Sequence, residues 1–151
     1  MTYKSIQLSA SLEDYIEAIY NIIGEKQAAR GKDIAALLDV SAASVTEALH
    51  SLSKKGLINY APYEAITLTD IGREVARDVV HRHNALKLFF IKVLNIPEDI
   101  AEIGACRVEH AAPRVIIEQM INFTDFIDSH TMDSSKLAHD FSTFCKNRQG
   151  E

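Results

Sequence analysis

Apolar residues recur at helical spacing along most of the chain. Between Ser9 and Ile23 the run SASLEDYIEAIYNII lines up Leu12, Ile16, Ile19, Tyr20 and Ile23, which predicts an amphipathic helix capped by Ser9 or Ser11 and stopped at Gly24. A second, short helix reads from Lys32 to Asp39, with Ile34, Leu37 and Leu38 facing inward. Ser41 is placed to cap a third, in which Val45, Leu49 and Leu52 repeat at i, i+4 and i+7, and Gly56 ends it just past the last turn. Two β-prone runs follow, LINYA and AITLT, joined around Pro62-Tyr63-Glu64 as a hairpin. Thr69 opens a long helix that reaches about Leu94, and Pro97 prevents its continuation. Residues 98–110 predict another helix, Pro113 starts the next, and 134–147 predict a last one.

Three helices followed by a hairpin make a winged helix-turn-helix, with LLDVSAAS as the turn between the second and third helices. The fold is therefore expected to be mainly α. Residues 1–72 form the winged helix with its small β-hairpin wing, and residues 73–151 form an all-helical second domain. The aromatic residues divide the same way: all five Tyr lie at or before Tyr63 and all six Phe at or after Phe89, as two lobes with separate cores would have them. In the second half, ALKLFFIKVLNI and VIIEQMINFTDFI carry more large apolar residues than one small lobe can hide, so a dimer interface is expected there. The competing explanation is a larger internal core.

Composition narrows the function. Hydrophobic residues make up 47% of the chain, enough for an ordinary core. No apolar run approaches the roughly 20 residues that span a bilayer, and no export signal is read at the start. Two cysteines are no disulfide framework, so a cytoplasmic location is expected. Of the common catalytic fingerprints, His-Glu-x-x-His, Gly-x-Ser-x-Gly, the P-loop and the dinucleotide motif are missing, and a Cys106–His110 pair lacks an orienting third group. No enzyme is expected.

On the third helix, Ser44, Thr46, Glu47, His50 and Ser51 point outward once Val45, Leu49 and Leu52 are buried. The N-terminal residues of such a helix meet base edges in the major groove. Ala42 and Ala43 are small enough to touch thymine methyls, and Glu47 can accept from a cytosine amine. Ser41, Ser44 and Thr46 suit phosphate oxygens, and Lys54 and Lys55 follow at the far end. The net charge of −5, and the balance of three bases against three acids over residues 32–60, argue against strong unassisted DNA binding.

Good metal donors are scattered along the chain. On a wheel with Leu12 at the centre of the apolar stripe, Asp14 and Glu17 fall together on the opposite side, three residues apart. By themselves they read as solvated charge. In VVHRHNALKLFF, His81 and His83 cannot share a helix face, so one is a ligand candidate and the other surface. In GACRVEH, Cys106, Glu109 and His110 stand at i, i+3 and i+4 and share one. The plain alternative is a buried cysteine beside a surface Glu-His pair. His130, His139 and Cys145 read as surface.

Together, SLEDYIEAIY, IAALLDVSAASVTEAL, GLINY with LTDIG, HRHNAL and ACRVEH resemble the diphtheria-toxin-repressor and manganese-transport-regulator family of metal-dependent transcriptional repressors, from about Leu8 to Asp128. The resemblance implies a homodimer that binds double-stranded operator DNA, with one or two Mn²⁺ or Fe²⁺ ions held between the two domains of each subunit. The implied ligands are Asp14, Glu17, His83, Cys106, Glu109 and His110. Five match the manganese-type members in kind. Cys106 instead matches the iron-type members, which carry Met at the position of Asp14. The ancillary site of the iron type needs a Glu at Lys87 and a His at Glu102 and is expected to be missing, as is that type's SH3-like domain. The donor set is thus a hybrid. Its carboxylates suit Mn²⁺ and Fe²⁺, whereas a thiolate favours Fe²⁺, Co²⁺ or Zn²⁺. A winged-helix regulator answering an organic effector, or Zn²⁺ and Co²⁺, is the alternative.

Overall fold

The structure, a computed structural model, describes residues 6–129 and 133–149, so His130 lies outside the described residues. Seven helices and one small sheet are present among them: α1 (Ala10–Lys26), α2 (Gly31–Leu38), α3 (Ala42–Lys54), β1 (Ile58–Asn59), β2 (Thr67–Leu68), α4 (Asp70–Lys92), α5 (Glu98–Ala111), α6 (Arg114–Ser129) and α7 (Ser134–Gln149). The chain forms two compact units, Met1–Val80 and His81–Glu151. The mainly helical fold with a winged helix-turn-helix at its N-terminal end is the one the sequence predicts.

In the first unit, local chemistry sets the helix ends. The Ser9 side chain accepts the Leu12 amide at 3.3 Å and caps α1. Gly24 does not stop this helix. It continues to Lys26 and closes on Gln27, which takes the left-handed conformation (φ 66°) and bonds back to the Ile23 carbonyl. The helix runs on because nothing at Gly24 competes for the backbone bonds, and a helical glycine costs only about 1 kcal/mol. Ser41 caps α3 by accepting the Ser44 amide at 3.1 Å, and Gly56 (φ 72°) follows its last turn.

The core of this unit gathers Ile16, Ile19, Ile34, Val45, Leu49, Leu52, Leu57 and Ile66. On α2, Ile34 is buried but Leu37 is 56% exposed, against the expectation that it faces inward. In so short a helix Ile34, Ala35 and Leu38 fill the contact, and Leu37 falls past its edge. The wing is an antiparallel pair with Ile58 opposite Leu68 and Asn59 opposite Thr67. An isolated bridge between Ala29 and Ile66 extends it, using the α1–α2 connection, which carried no strand pattern.

Thr69 joins the wing to α4. Its hydroxyl donates to the Gly56 carbonyl at 2.7 Å and accepts the Gly72 amide at 3.0 Å. Gly72 is needed here, because a Cβ on it would lie 1.8 Å from the Leu57 carbonyl oxygen. In the second unit Leu86, Ala105 and Ile117 form a smaller core, with Phe90, Val108, Ala112, Met120 and Ile121 packed against it. His139 is exposed as expected, while Cys145 is partly covered by its surroundings.

Candidate metal centre

The donors of the second unit come from α4 and α5. His81 and His83 divide as their spacing requires: His81 is exposed and His83 is buried. On α5 the burial reverses the plain expectation for the GACRVEH run. Cys106 is exposed, whereas Glu109 is only 1% exposed and the His110 side chain 10%. A buried carboxylate is costly unless cations or hydrogen-bond donors meet it. Two imidazoles lie against it here, His83 in hydrogen-bond geometry and His110 at close approach. His83 Nδ1 lies 2.8 Å from Glu109 Oε2, and His110 Nε2 lies 3.0 Å from Glu109 Oε1. The Cys106 sulfur is within 4.8 Å of a Glu109 carboxylate oxygen, as the i, i+3 spacing on one helix dictates.

The backbone under Glu109 is also held. In a helix its carbonyl would accept from the amide four residues on, but that residue is Pro113, which has none. Arg82 substitutes, donating Nη1–H to the Glu109 carbonyl at 3.1 Å. Arg82 was not singled out from the sequence. The proline four residues after a candidate ligand was the available signal that some side chain must supply a donor.

The far side of His83 carries a second set of charges. His83 Nε2 lies 2.7 Å from Glu102 Oε1, and the other Glu102 oxygen lies 3.0 Å from the Lys87 ammonium. Lys87 also reaches Glu98 at 3.0 Å. The Lys87 ammonium, and secondarily His83, hold the Glu102 carboxyl below the ordinary glutamate range. The acidic partners, Glu98 foremost, push the Lys87 ammonium up. Lys87 and Glu102, the two positions that depart from the iron-type ancillary site, are therefore ion-paired to each other.

These residues fit a divalent cation. Two imidazole nitrogens each lie against one oxygen of the buried Glu109 carboxylate, and the Cys106 thiol is beside it, which together offer the N, O and S donors that first-row transition metals take. Asp14 and Glu17, on α1, belong to the first unit.

The residues assigned to DNA lie on α3 and just beyond it. Ser41, Ala42, Ala43, Ser44, Thr46, Glu47, Lys54 and Lys55 are all exposed, while Val45, Ala48, Leu49 and Leu52 are buried beneath them. The Ser41 and Ser44 hydroxyls share a hydrogen bond of 2.9 Å, and Thr46 donates to the Ala42 carbonyl at 3.0 Å. His50 meets Tyr60 of the wing edge-on, with ring centroids 5.4 Å apart.

Comparison with known proteins identifies both domains. Residues 7–66 match the iron dependent repressor, N-terminal DNA binding domain, and residues 69–136 match the iron dependent repressor, metal binding and dimerisation domain. The chain is 35% identical over 119 residues to an HTH-type transcriptional regulator of Methanocaldococcus jannaschii described as uncharacterized, covering 78% of this chain and 95% of that one. It is 32% identical over 141 residues to the HTH-type transcriptional regulator MntR of Geobacillus kaustophilus, covering 93% and 97%. Among solved structures, a manganese-dependent transcriptional repressor in complex with manganese superposes with a TM-score of 0.68 at 27% identity. That match covers 76% of this chain and 53% of the other, so the chain spans about half the length of that relative. These relatives are named as regulators of transcription, not as enzymes. With both of its domains matched in order by the family's own models, the chain belongs to the iron dependent repressor family of metal-dependent DNA-binding transcriptional regulators.

Proposed function

We propose that this protein is a cytoplasmic, homodimeric repressor of metal-uptake genes that binds operator DNA when Mn²⁺ or Fe²⁺, one or two ions per subunit, is held by Asp14, Glu17, His83, Cys106, Glu109 and His110. The observation that carries the reading is the buried Glu109 carboxylate flanked by His83 and His110. A carboxylate placed so deep, with two imidazoles turned onto it, serves a bound cation better than it serves stability. Asp14 and Glu17 enter through the family resemblance and their shared helix face. No helix among the described residues is long and apolar enough to cross a membrane.

Gathering the Asp14, Glu17 and Glu109 carboxylates at one site costs charge repulsion that a bound cation relieves. A bound divalent cation supplies the cancelling charge and the ligand bonds that tie α1 to α5. His83 and His110 contribute imidazole nitrogen donors, and a proton on the coordinating nitrogen is released when metal binds. Ser41, Ala42, Ala43, Ser44, Thr46 and Glu47 then face the major groove, with Lys54 and Lys55 toward phosphates. In the dimer the two α3 helices stand about one or two helical turns of DNA apart. Coupling between metal and DNA is reciprocal and amounts to roughly 1–3 kcal/mol.

Operator fragments selected in vitro in the presence of Mn²⁺ provide the test. Binding is followed by fluorescence anisotropy in buffered Mn²⁺, Fe²⁺, Co²⁺ and Zn²⁺ series and in EDTA, with iron handled without oxygen. Loss of binding in EDTA and its return at low Mn²⁺ or Fe²⁺ is expected. Binding that survives EDTA would point to an organic effector. A response to Zn²⁺ or Co²⁺ alone in a cellular reporter would overturn the choice of metal.

A further inference from the structure

The charges on the outer side of His83 have no part in the ligand set, yet they are ordered as a chain. From Glu98 it runs through Lys87 and Glu102 to His83 and on to Glu109, with successive distances of 3.0, 3.0, 2.7 and 2.8 Å. Lys87 lies one helical turn after His83 on α4, and Glu98 and Glu102 lie one turn apart on α5, so each helix offers its pair on one face. A coordinating imidazole gives the lone pair of one nitrogen and keeps a proton on the other. In His83 the nitrogen turned toward the ligand Glu109 is Nδ1, and the one turned toward Glu102 is Nε2.

We propose that Glu102, held in place by Lys87, is a positioning residue: it accepts the Nε2–H of His83 and so commits Nδ1 to the metal. This rests on the metal-binding reading above and adds two residues to it. Glu102 stays outside the metal shell, because one of its oxygens takes the imidazole proton and the other takes the ammonium. Lys87 keeps the Glu102 carboxylate from swinging to solvent, to which half of its side-chain surface is open. The same ammonium pairs with Glu98 at 3.0 Å, so it is held from both sides.

The test uses full-length protein with ¹⁵N-labelled histidine. Loaded with diamagnetic Zn²⁺ as the probe, wild type is expected to show His83 protonated at Nε2 and metal-bound at Nδ1 in long-range ¹H–¹⁵N spectra. Glu102→Leu is expected to lose the protected Nε2–H signal and to weaken Mn²⁺ binding, measured by competition titration, by about 10- to 100-fold. Glu102→Gln keeps an acceptor oxygen and is expected to recover part of both. Lys87→Met should fall between Glu102→Leu and wild type, and Lys87→Arg should restore the signal. Helical circular dichroism and the urea midpoint check that each variant folds. Glu102 is half-exposed, and the wild-type spectrum decides the tautomer even if a variant fails to fold. A His83 bound through Nε2, or unchanged Mn²⁺ affinity in a folded Glu102→Leu protein, overturns the proposal and leaves the metal reading standing. A wild-type protein that binds neither Mn²⁺ nor Zn²⁺ overturns both.

Discussion

At the scale of single residues, the site turns on which donors are hard and which soft. Glu109→Gln keeps the shape of the side chain but removes the charge that two imidazoles face. It is expected to lower Mn²⁺ affinity at least 100-fold while the helical circular dichroism signal is retained. Calorimetry showing wild-type affinity would remove Glu109 from the shell, and the same measurement on Asp14→Ala tests the first-unit donor. Cys106→Glu exchanges thiolate for carboxylate and is expected to move the preference toward Mn²⁺ relative to Co²⁺ and Zn²⁺. An unchanged ranking in competition titrations would show that the sulfur does not select. The Cys106, Glu109 and His110 face was legible in the sequence because a helix repeats every 3.6 residues. That Glu109 rather than Cys106 is the buried member was not, because periodicity gives direction and says nothing of depth. Lys87 and Glu102 were legible only as departures from the iron-type ancillary site. Their pairing depends on how α4 and α5 face each other, which no single stretch encodes.

At the scale of elements, stability and site geometry share supports. Gly72 brings the start of α4 against the Leu57 backbone, and a methyl group there has no flexible neighbour to displace. Gly72→Ala is therefore expected to destabilise the winged helix by roughly 1–3 kcal/mol, as overpacking does, read from urea unfolding. A neutral result would mean that the wing and α4 move apart at little cost. Ser41→Ala removes the cap of α3 and is expected to cost about 1 kcal/mol, whereas Ser41→Asp keeps an acceptor and should cost less. The helix order and the caps at Ser41 and Gly56 were readable, since capping is local chemistry, and the cap of α1 was narrowed to Ser9 or Ser11, of which the structure uses Ser9. The passage of α1 through Gly24 was not readable, nor was the bridge between Ala29 and Ile66. At Gly24 a single glycine is too weak a stop to end a helix by itself, and at Ala29 a tertiary contact with Ile66 decides the outcome.

At the scale of the whole molecule, the difficulty is how a chain with a net charge of −5 holds a polyanion. Two divalent ions per subunit would bring the charge to about −1 before any protons are lost from the ligands. Even so, the basic side chains assigned to each reading head are few, Lys54 and Lys55, both exposed. Affinity must then come from holding two heads in register rather than from the pull of phosphate, which the proposed dimer would do. The second unit exposes Phe123 and Phe126, whose rings stack at 6.4 Å, an apolar surface that a partner subunit can cover. Charges placed at Phe123 and Phe126 together are expected to give monomers in sedimentation and to abolish operator binding even with metal present. Salt dependence supplies the sharper measurement, because each phosphate contact contributes about −0.9 to the slope of log K against log salt. Four lysine contacts per dimer predict a shallow slope near −4 for the metal-loaded protein. Lys54→Gln and Lys55→Gln should each reduce its magnitude by about 2, since each removes one contact from both subunits. A much steeper slope, unchanged in both variants, would mean that other basic groups carry the phosphate contacts and that α3 is not oriented on DNA as assigned.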